Sequence, residues 1–98
     1  MEILQNKNGN TLNITLQGRL DTTTAPQLEE VISTSLEGVT TLIFDFSPLD
    51  YISSAGLRVL LSAQKQMNKQ GEMKIMNVNE SIMEIFEVTG FSDILTIE

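Results

Sequence analysis

The apolar residues of this chain change period several times, and that alternation limits its fold more than any other feature. Leu12, Ile14 and Leu16 alternate with Asn13, Thr15 and Gln17, the period of a strand with one buried face. From Thr24 to Leu36 the spacing lengthens: Ala25, Leu28, Ile32 and Leu36 fall on one helical stripe, with Val31 beside it. Leu42-Ile43-Phe44-Asp45-Phe46 returns to a mostly apolar run of strand length, as expected of a central strand covered on both faces. A second helical stripe of Leu57, Leu60, Leu61 and Met67 spans Ser53 or Ser54 to Gln70. Met73 to Val78 then reads as a strand, the stretch after Asn79 as a helix with Ile82, Ile85 and Phe86 inward, and Ile94 to Ile97 as a last strand.

Turn chemistry supports these boundaries. Glu2 to Asn6 can pair back on the strand that follows through Lys7-Asn8-Gly9-Asn10, where Asn-Gly supplies the positive φ angles of a tight hairpin. Thr24 and Gln27 match a capping box, and Pro26 is acceptable in a first helical turn. Gly38 ends the first helix, Gly71 stands where a left-handed cap would end the second, Asn79 is a natural N-cap for the third, and Gly90 closes it. The resulting order is β-β-α-β-α-β-α-β, an α/β fold with a mixed, mostly parallel sheet in one domain over residues 1–98. Right-handed crossovers would make the strands near 11–17 and 42–46 parallel, so their carboxyl ends share one edge. Gly18-Arg19-Leu20-Asp21 and the loop from Pro48 to Ser54 then emerge together, where open α/β sheets tend to bind ligands.

Composition removes most catalytic options. The chain has 98 residues and no Cys, His or Trp, which excludes a thiolate nucleophile, a zinc site of the usual ligands and a Ser-His-Asp triad. Met67, Met73, Met76 and Met83 are read as core filler, and no cofactor or metal is expected. A net charge of −7 makes nucleic acid a poor partner, because phosphate-backbone binding needs clustered Lys and Arg. The N-terminus lacks a basic and apolar leader and no run reaches membrane-spanning length, so a cytoplasmic protein without membrane contact is expected. A monomer is the default. Charge is uneven: Arg58, Lys65 and Lys69 make one helix basic, whereas Glu80, Glu84, Glu87, Asp93 and Glu98 make the C-terminal part acidic. Two ordinary solvated faces account for that pattern better than a contact surface does.

The most informative stretch is Asp50-Tyr51-Ile52-Ser53-Ser54-Ala55-Gly56-Leu57. It sets two hydroxyls at a loop-to-helix junction, followed by small residues. A helix N-terminus has unpaired N–H groups and a positive dipole end, so an anion attached there is stabilised. A phosphoryl group would add about −1.5 to −2 charge without unfolding anything. Serine is also among the best N-cap residues, so the plainer role of Ser53 and Ser54 is to cap the helix. Likewise Gly56 serves close packing, Asp21 a turn and Arg58 solvation on the plainer reading.

Tyr51-Ile52-Ser53-Ser54-Ala55-Gly56-Leu57-Arg58-Val59-Leu60-Leu61 resembles the signature of bacterial anti-sigma factor antagonists of the STAS domain family. Gly18-Arg19-Leu20-Asp21 resembles the family's Gly-x-Leu-Asp turn, Phe44-Asp45-Phe46 its central strand, and Ile85-Phe86 with Thr89-Gly90-Phe91 its third helix and following turn. The resemblance covers essentially the whole chain. It implies a phosphorylation-switched binding protein, not an enzyme, with Ser54 as phosphoacceptor and Ser53 as the less favoured one. It also implies a contact surface of Asp21, Thr22, Thr23, Ser53, Ser54, Ala55, Gly56, Leu57 and Arg58. The implied partners are an anti-sigma factor with serine kinase activity and a histidine-kinase-like ATPase fold, and a serine phosphatase. Ser53 stands where many members carry Asp, and many members continue into a further helix beyond the position of Glu98, whose role is expected to be missing here. Two other functions stay open from the residues: a constitutive STAS-type adaptor or subunit of a transport or signalling complex, never phosphorylated, and a hydrolase or nucleotide-binding enzyme using Ser54. The last would need Lys65 or Lys69 as base, two or more turns from the helix start.

Overall fold

In the computed structural model, which describes residues 1–98, the hydrophobic periods resolve into a five-stranded sheet. Strands β1 (Glu2–Asn8) and β2 (Thr11–Leu20) form the antiparallel hairpin, and helix α1 (Ala25–Ser35) crosses to β3 (Thr41–Asp45), parallel to β2. A short strand, β4 (Leu49–Ile52), precedes helix α2 (Ser54–Gln70); β5 (Glu72–Met76) then pairs parallel to β3, and helix α3 (Glu80–Thr89) leads into a single 3-10 turn, Phe91–Asp93. The order β1-β2-β3-β5 puts β3 inside the sheet, with β4 added on β2. The sheet is mixed and mostly parallel, as the alternation of periods predicts.

Register explains the core. Leu12, Leu42 and Met73 stand side by side across β2, β3 and β5, and so do Ile14, Phe44 and Ile75, giving two continuous buried rows on one face. Leu28 and Ile32 of α1, Leu60 and Met67 of α2, and Ile82 and Phe86 of α3 are buried in the same cluster. The next row, Asn13, Ile43 and Lys74, is only half-buried. Strand β3 is therefore covered fully on one face and not on both, because all the long apolar stripes serve the same side. Met76, expected in the core, is 37% exposed at the end of β5 for the same reason.

Three local expectations change in detail. The stretch Leu49–Ile52 is a strand rather than a loop, paired with Gly18–Leu20 of β2 after a register shift at Gly18/Arg19. It is too short to show a period, with only its end residues Leu49 and Ile52 buried. At the other end, Ile94 to Ile97 forms no extended strand: Ile94 keeps helical backbone angles, and one bridge, Ile75 to Ile97, marks the contact with β5. Gly71 is not a left-handed cap. Its φ of 172° is extended, and glycine is needed because a Cβ would lie 1.8 Å from the Thr40 carbonyl oxygen.

Candidate functional site

The carboxyl ends of β2 and β4 and the starts of α1 and α2 meet at one edge of the sheet. Gly18 N–H donates to the Pro48 carbonyl at 3.0 Å and Ser53 N–H to the Leu20 carbonyl at 2.9 Å, so the two loops foreseen as neighbours are bonded to each other. Gly18 has φ +102°, a left-handed angle that lets β2 shift register and hand its pairing from β3 to β4.

Beyond β2 the turn is organised by Asp21. Its Oδ1 accepts from the Thr23 hydroxyl at 2.8 Å, the Thr23 N–H at 3.0 Å and the Thr24 N–H at 3.2 Å. These bonds, the Thr23 hydroxyl foremost, hold the Asp21 carboxyl below its ordinary range. The capping box expected of Thr24 and Gln27 does not form. Thr24 Oγ1 instead accepts from Asp21 N–H and donates to the Arg19 carbonyl, both at 2.8 Å, while Gln27 N–H reaches the Thr24 main-chain carbonyl at 3.0 Å. The first turn of α1 is thus closed by its own loop.

Helix α2 begins differently. Ser53 is its N-cap in extended conformation, with φ −102° and ψ 176°, and its main chain is pinned by Leu20 and by Leu57 N–H, which donates to the Ser53 carbonyl at 3.0 Å. Its side chain makes no cap bond: the Ser53 hydroxyl is buried and has no hydrogen-bond partner. Ser54 is the first helical residue and is exposed. The N–H groups of Ser54, Ala55 and Gly56 find no acceptor in the chain, so the helical turn that begins at the exposed Ser54 has three unpaired main-chain donors.

The expected contact residues divide into two sets. Asp21, Thr22, Thr23, Ser54, Ala55 and Arg58 all reach the surface at least in part, and Thr22 of the turn before α1, with Pro26 of α1, faces Ala55, Arg58 and Ser62 of α2 across a shallow groove. Gly56 and Leu57 are buried, and Ser53 turns its hydroxyl inward. A Cβ at Gly56 would lie 2.7 Å from Leu20 Cγ and 2.9 Å from Ile52 Cγ1, so Gly56 sets how closely α2 approaches the sheet. Gly56 and Leu57 act beneath the surface, as its support.

Two features of this edge had no sequence signal. The Arg19 guanidinium lies 4.3 Å from the centre of the Tyr51 ring, a cation–π contact across β2 and β4, and its Nε is 3.7 Å from Asp21 Oδ2. The pair is visible only once Leu49–Ile52 is known to be a strand beside β2. Asn79, foreseen as the N-cap of α3, accepts from Ile82 N–H at 2.8 Å and also donates to the Leu49 carbonyl at 3.0 Å, which ties α3 to β4. Elsewhere on the carboxyl edge, Asn77 in left-handed conformation donates to Asp45 at 3.0 Å and, with Ser47 N–H, lowers the Asp45 pKa. No helix is long and apolar enough to cross a membrane.

Similarity to known proteins agrees with this geometry. The STAS domain pattern matches residues 2–98. The anti-sigma-B factor antagonist of Bacillus subtilis is 30% identical over 92 residues, covering 93% of this chain and 84% of the relative. BtrV of Bordetella bronchiseptica, whose name proposes an anti-sigma factor antagonist, is 35% identical over 99 residues, covering 99% and 85%. Among solved structures, the anti-sigma factor antagonist SpoIIAA superposes in its unphosphorylated form with a TM-score of 0.79, and the Bacillus protein in its phosphorylated form with 0.78. Both are 23% identical to this chain and cover 99% of it, the matches spanning 87% and 91% of the solved chains, and at that identity they speak for the fold. From residue 2 to residue 98 this chain belongs to the STAS domain family, and its curated relatives include anti-sigma factor antagonists.

Proposed function

We propose that this protein is an anti-sigma factor antagonist whose binding edge is switched by phosphorylation at Ser54. Unmodified, it docks the edge formed by Asp21, Thr22, Thr23, Ser54, Ala55 and Arg58 on an anti-sigma factor and so frees a sigma factor. That partner is also the serine kinase. The Ser54 oxygen takes the γ-phosphoryl group of its ATP, ADP leaves, and the hydroxyl proton passes to a base of the kinase. A serine phosphatase returns the chain to its binding form.

The observation that carries this reading is the start of α2: an exposed Ser54 on a turn with three unpaired main-chain donors, held rigidly by the Ser53–Leu20 bond and the Gly56 contact. A dianion fits there without rearranging the fold, which is how a phosphate changes a surface and leaves its scaffold intact. Asp21 and Asp50 already place negative charge on this edge, so a further two charges oppose any partner selected for the unmodified form. The curated relatives named as antagonists support the role, and the inward Ser53 hydroxyl supports Ser54 over Ser53 as acceptor. The chain acts by binding: Lys65, the nearer lysine of α2, stands about 16 Å along the helix from Ser54, beyond reach of a general base.

The test is a phosphotransfer reaction with ATP and the cognate anti-sigma factor. Wild type and Ser53→Ala gain one phosphoryl group on the peptide that spans Ser54, and Ser54→Ala gains none. Incorporation into Ser54→Ala but not Ser53→Ala would move the acceptor to Ser53. No incorporation into wild type, in vitro or in protein isolated from its host, would favour the constitutive adaptor.

A further inference from the structure

Arg58 is the one cation on the Ser54 face of α2 within a turn of the helix start, and it has no partner. The ion pairs of the molecule are Arg19–Asp21 and Lys74–Glu98. Arg58 is exposed and follows Ser54 by four residues in the same unbroken helix, so the two side chains lie on one face, with about 5–6 Å between their Cβ atoms. Other charged groups nearby are engaged or held apart: Arg19 at the end of β2 pairs with Asp21, Asp50 lies on β4, and Glu29 of α1 lines the far side of the groove without pairing with Arg58. A serine hydroxyl gives a guanidinium nothing to pair with. A phosphoryl group on that serine supplies three acceptor oxygens at the spacing of an i, i+4 ion pair, the geometry a guanidinium fork fits best.

We propose that Arg58 is the intrachain counter-ion of a phosphoryl group on Ser54, so that modification replaces a free cation on this face with a closed anion–cation pair of net negative charge. The idea rests on the reading of Ser54 as phosphoacceptor and adds what the modification does within the chain. The switch then has two parts. It adds an anion that repels a partner, and it withdraws from the partner the one cation that the unmodified face offers. It also favours the first turn of α2, because the pair forms at the helix end where negative charge is stabilised.

The experiment uses full-length protein with phosphoserine installed at position 54 during translation, so no kinase is needed. Phosphorus NMR follows the second ionisation of the phosphate, which lies near pH 6 in an unpaired phosphoserine. In the wild-type background the proximity of Arg58 favours the dianion. In Arg58→Gln the second acidity constant falls about two- to fivefold, and in Arg58→Lys it falls less. Lys65→Gln removes the same charge from the same helix at about 16 Å from Ser54, beyond the Debye length at physiological salt, and leaves the constant unchanged. Circular dichroism of the unmodified variants matches wild type, since both side chains are exposed. An acidity constant equal in wild type and Arg58→Gln, or one that shifts equally in Arg58→Gln and Lys65→Gln, overturns the pairing. Failure of the switch itself has a separate signature, equal affinity of modified and unmodified protein for the anti-sigma factor, which this titration does not touch.

Discussion

Helices α1 and α2 start side by side at the same edge of the sheet, and they start in opposite ways. Before α1, Asp21 and Thr24 consume the hydrogen-bonding capacity of the turn, down to the Thr23 hydroxyl. Helix α3 has a side-chain cap, Asn79 accepting from Ile82 N–H, and leaves only the Glu80 and Ser81 N–H groups without an acceptor. Helix α2 begins with no cap of either kind, with the Ser53 hydroxyl turned inward, Ser54 exposed and all of its first three N–H groups unpaired. Helix termini in small domains are normally satisfied, and leaving one open forgoes about 1 kcal/mol of capping. An uncapped start beside two capped ones therefore marks where the molecule keeps the most hydrogen-bonding capacity for something outside itself.

The contrast can be broken most forcefully at Ser54. Placing one negative charge in the docking edge with Ser54→Asp should weaken binding of the anti-sigma factor by about a hundredfold, roughly 2.7 kcal/mol, while Ser54→Ala binds as wild type does. Calorimetry with both variants decides, and similar affinities would mean that the open start is only an uncapped helix. Next in size is Gly56→Ala, where the added methyl must displace Leu20 or Ile52 and should cost about 1–3 kcal/mol of stability in denaturant unfolding. A neutral result would show that α2 can retreat from the sheet, and that its start is not held rigidly.

Smaller effects separate the closed starts from the open one. Asn79→Ala should cost about 1 kcal/mol, since it removes the α3 cap and the bond to the Leu49 carbonyl. Ser53→Ala deletes a hydroxyl with no partner, and stability should stay within about 0.5 kcal/mol of wild type. Equal losses would mean that Ser53 caps α2 in solution and the contrast fails. The smallest effect is on the acid side. The native Asp21 carboxyl titrates below its unfolded range, so its contribution is complete at neutral pH and is lost as pH falls through the folded pKa. Amide resonances of Thr23 and Thr24 should therefore move at acid pH, below the ordinary carboxylate range, and those of Ser54 and Ala55 should not follow; Asp21→Asn removes the transition.

Much of this was legible because it depends on spacing. Period-two and helical stripes located β2, β3 and all three helices, and parallel pairing of β2 with β3 followed from the helix between them. The meeting of the Gly18–Asp21 turn with the start of α2 was a consequence of topology alone. What spacing could not carry was pairing without periodicity. Strand β4 is held by main-chain bonds to β2 and shows buried side chains only at its ends, so the Arg19–Tyr51 stack it creates was hidden as well. The far end of the chain failed for the converse reason. Ile94 to Ile97 has the composition of a strand, yet the 3-10 turn at Phe91–Asp93 leaves just one residue in position to bridge β5. At the site, sequence chose Ser54 by resemblance, but whether either serine closes the helix depended on rotamers, and Thr24 took a loop role that its capping-box spacing concealed.

The central claim is that one phosphoryl group on Ser54 decides whether this edge binds. Its most direct test is the affinity of the cognate anti-sigma factor for two full-length proteins that differ only in phosphoserine or serine at position 54, measured by calorimetry at physiological salt. The account predicts a loss of at least about a hundredfold on modification, with both proteins equally folded by circular dichroism. Affinities equal within error would contradict it.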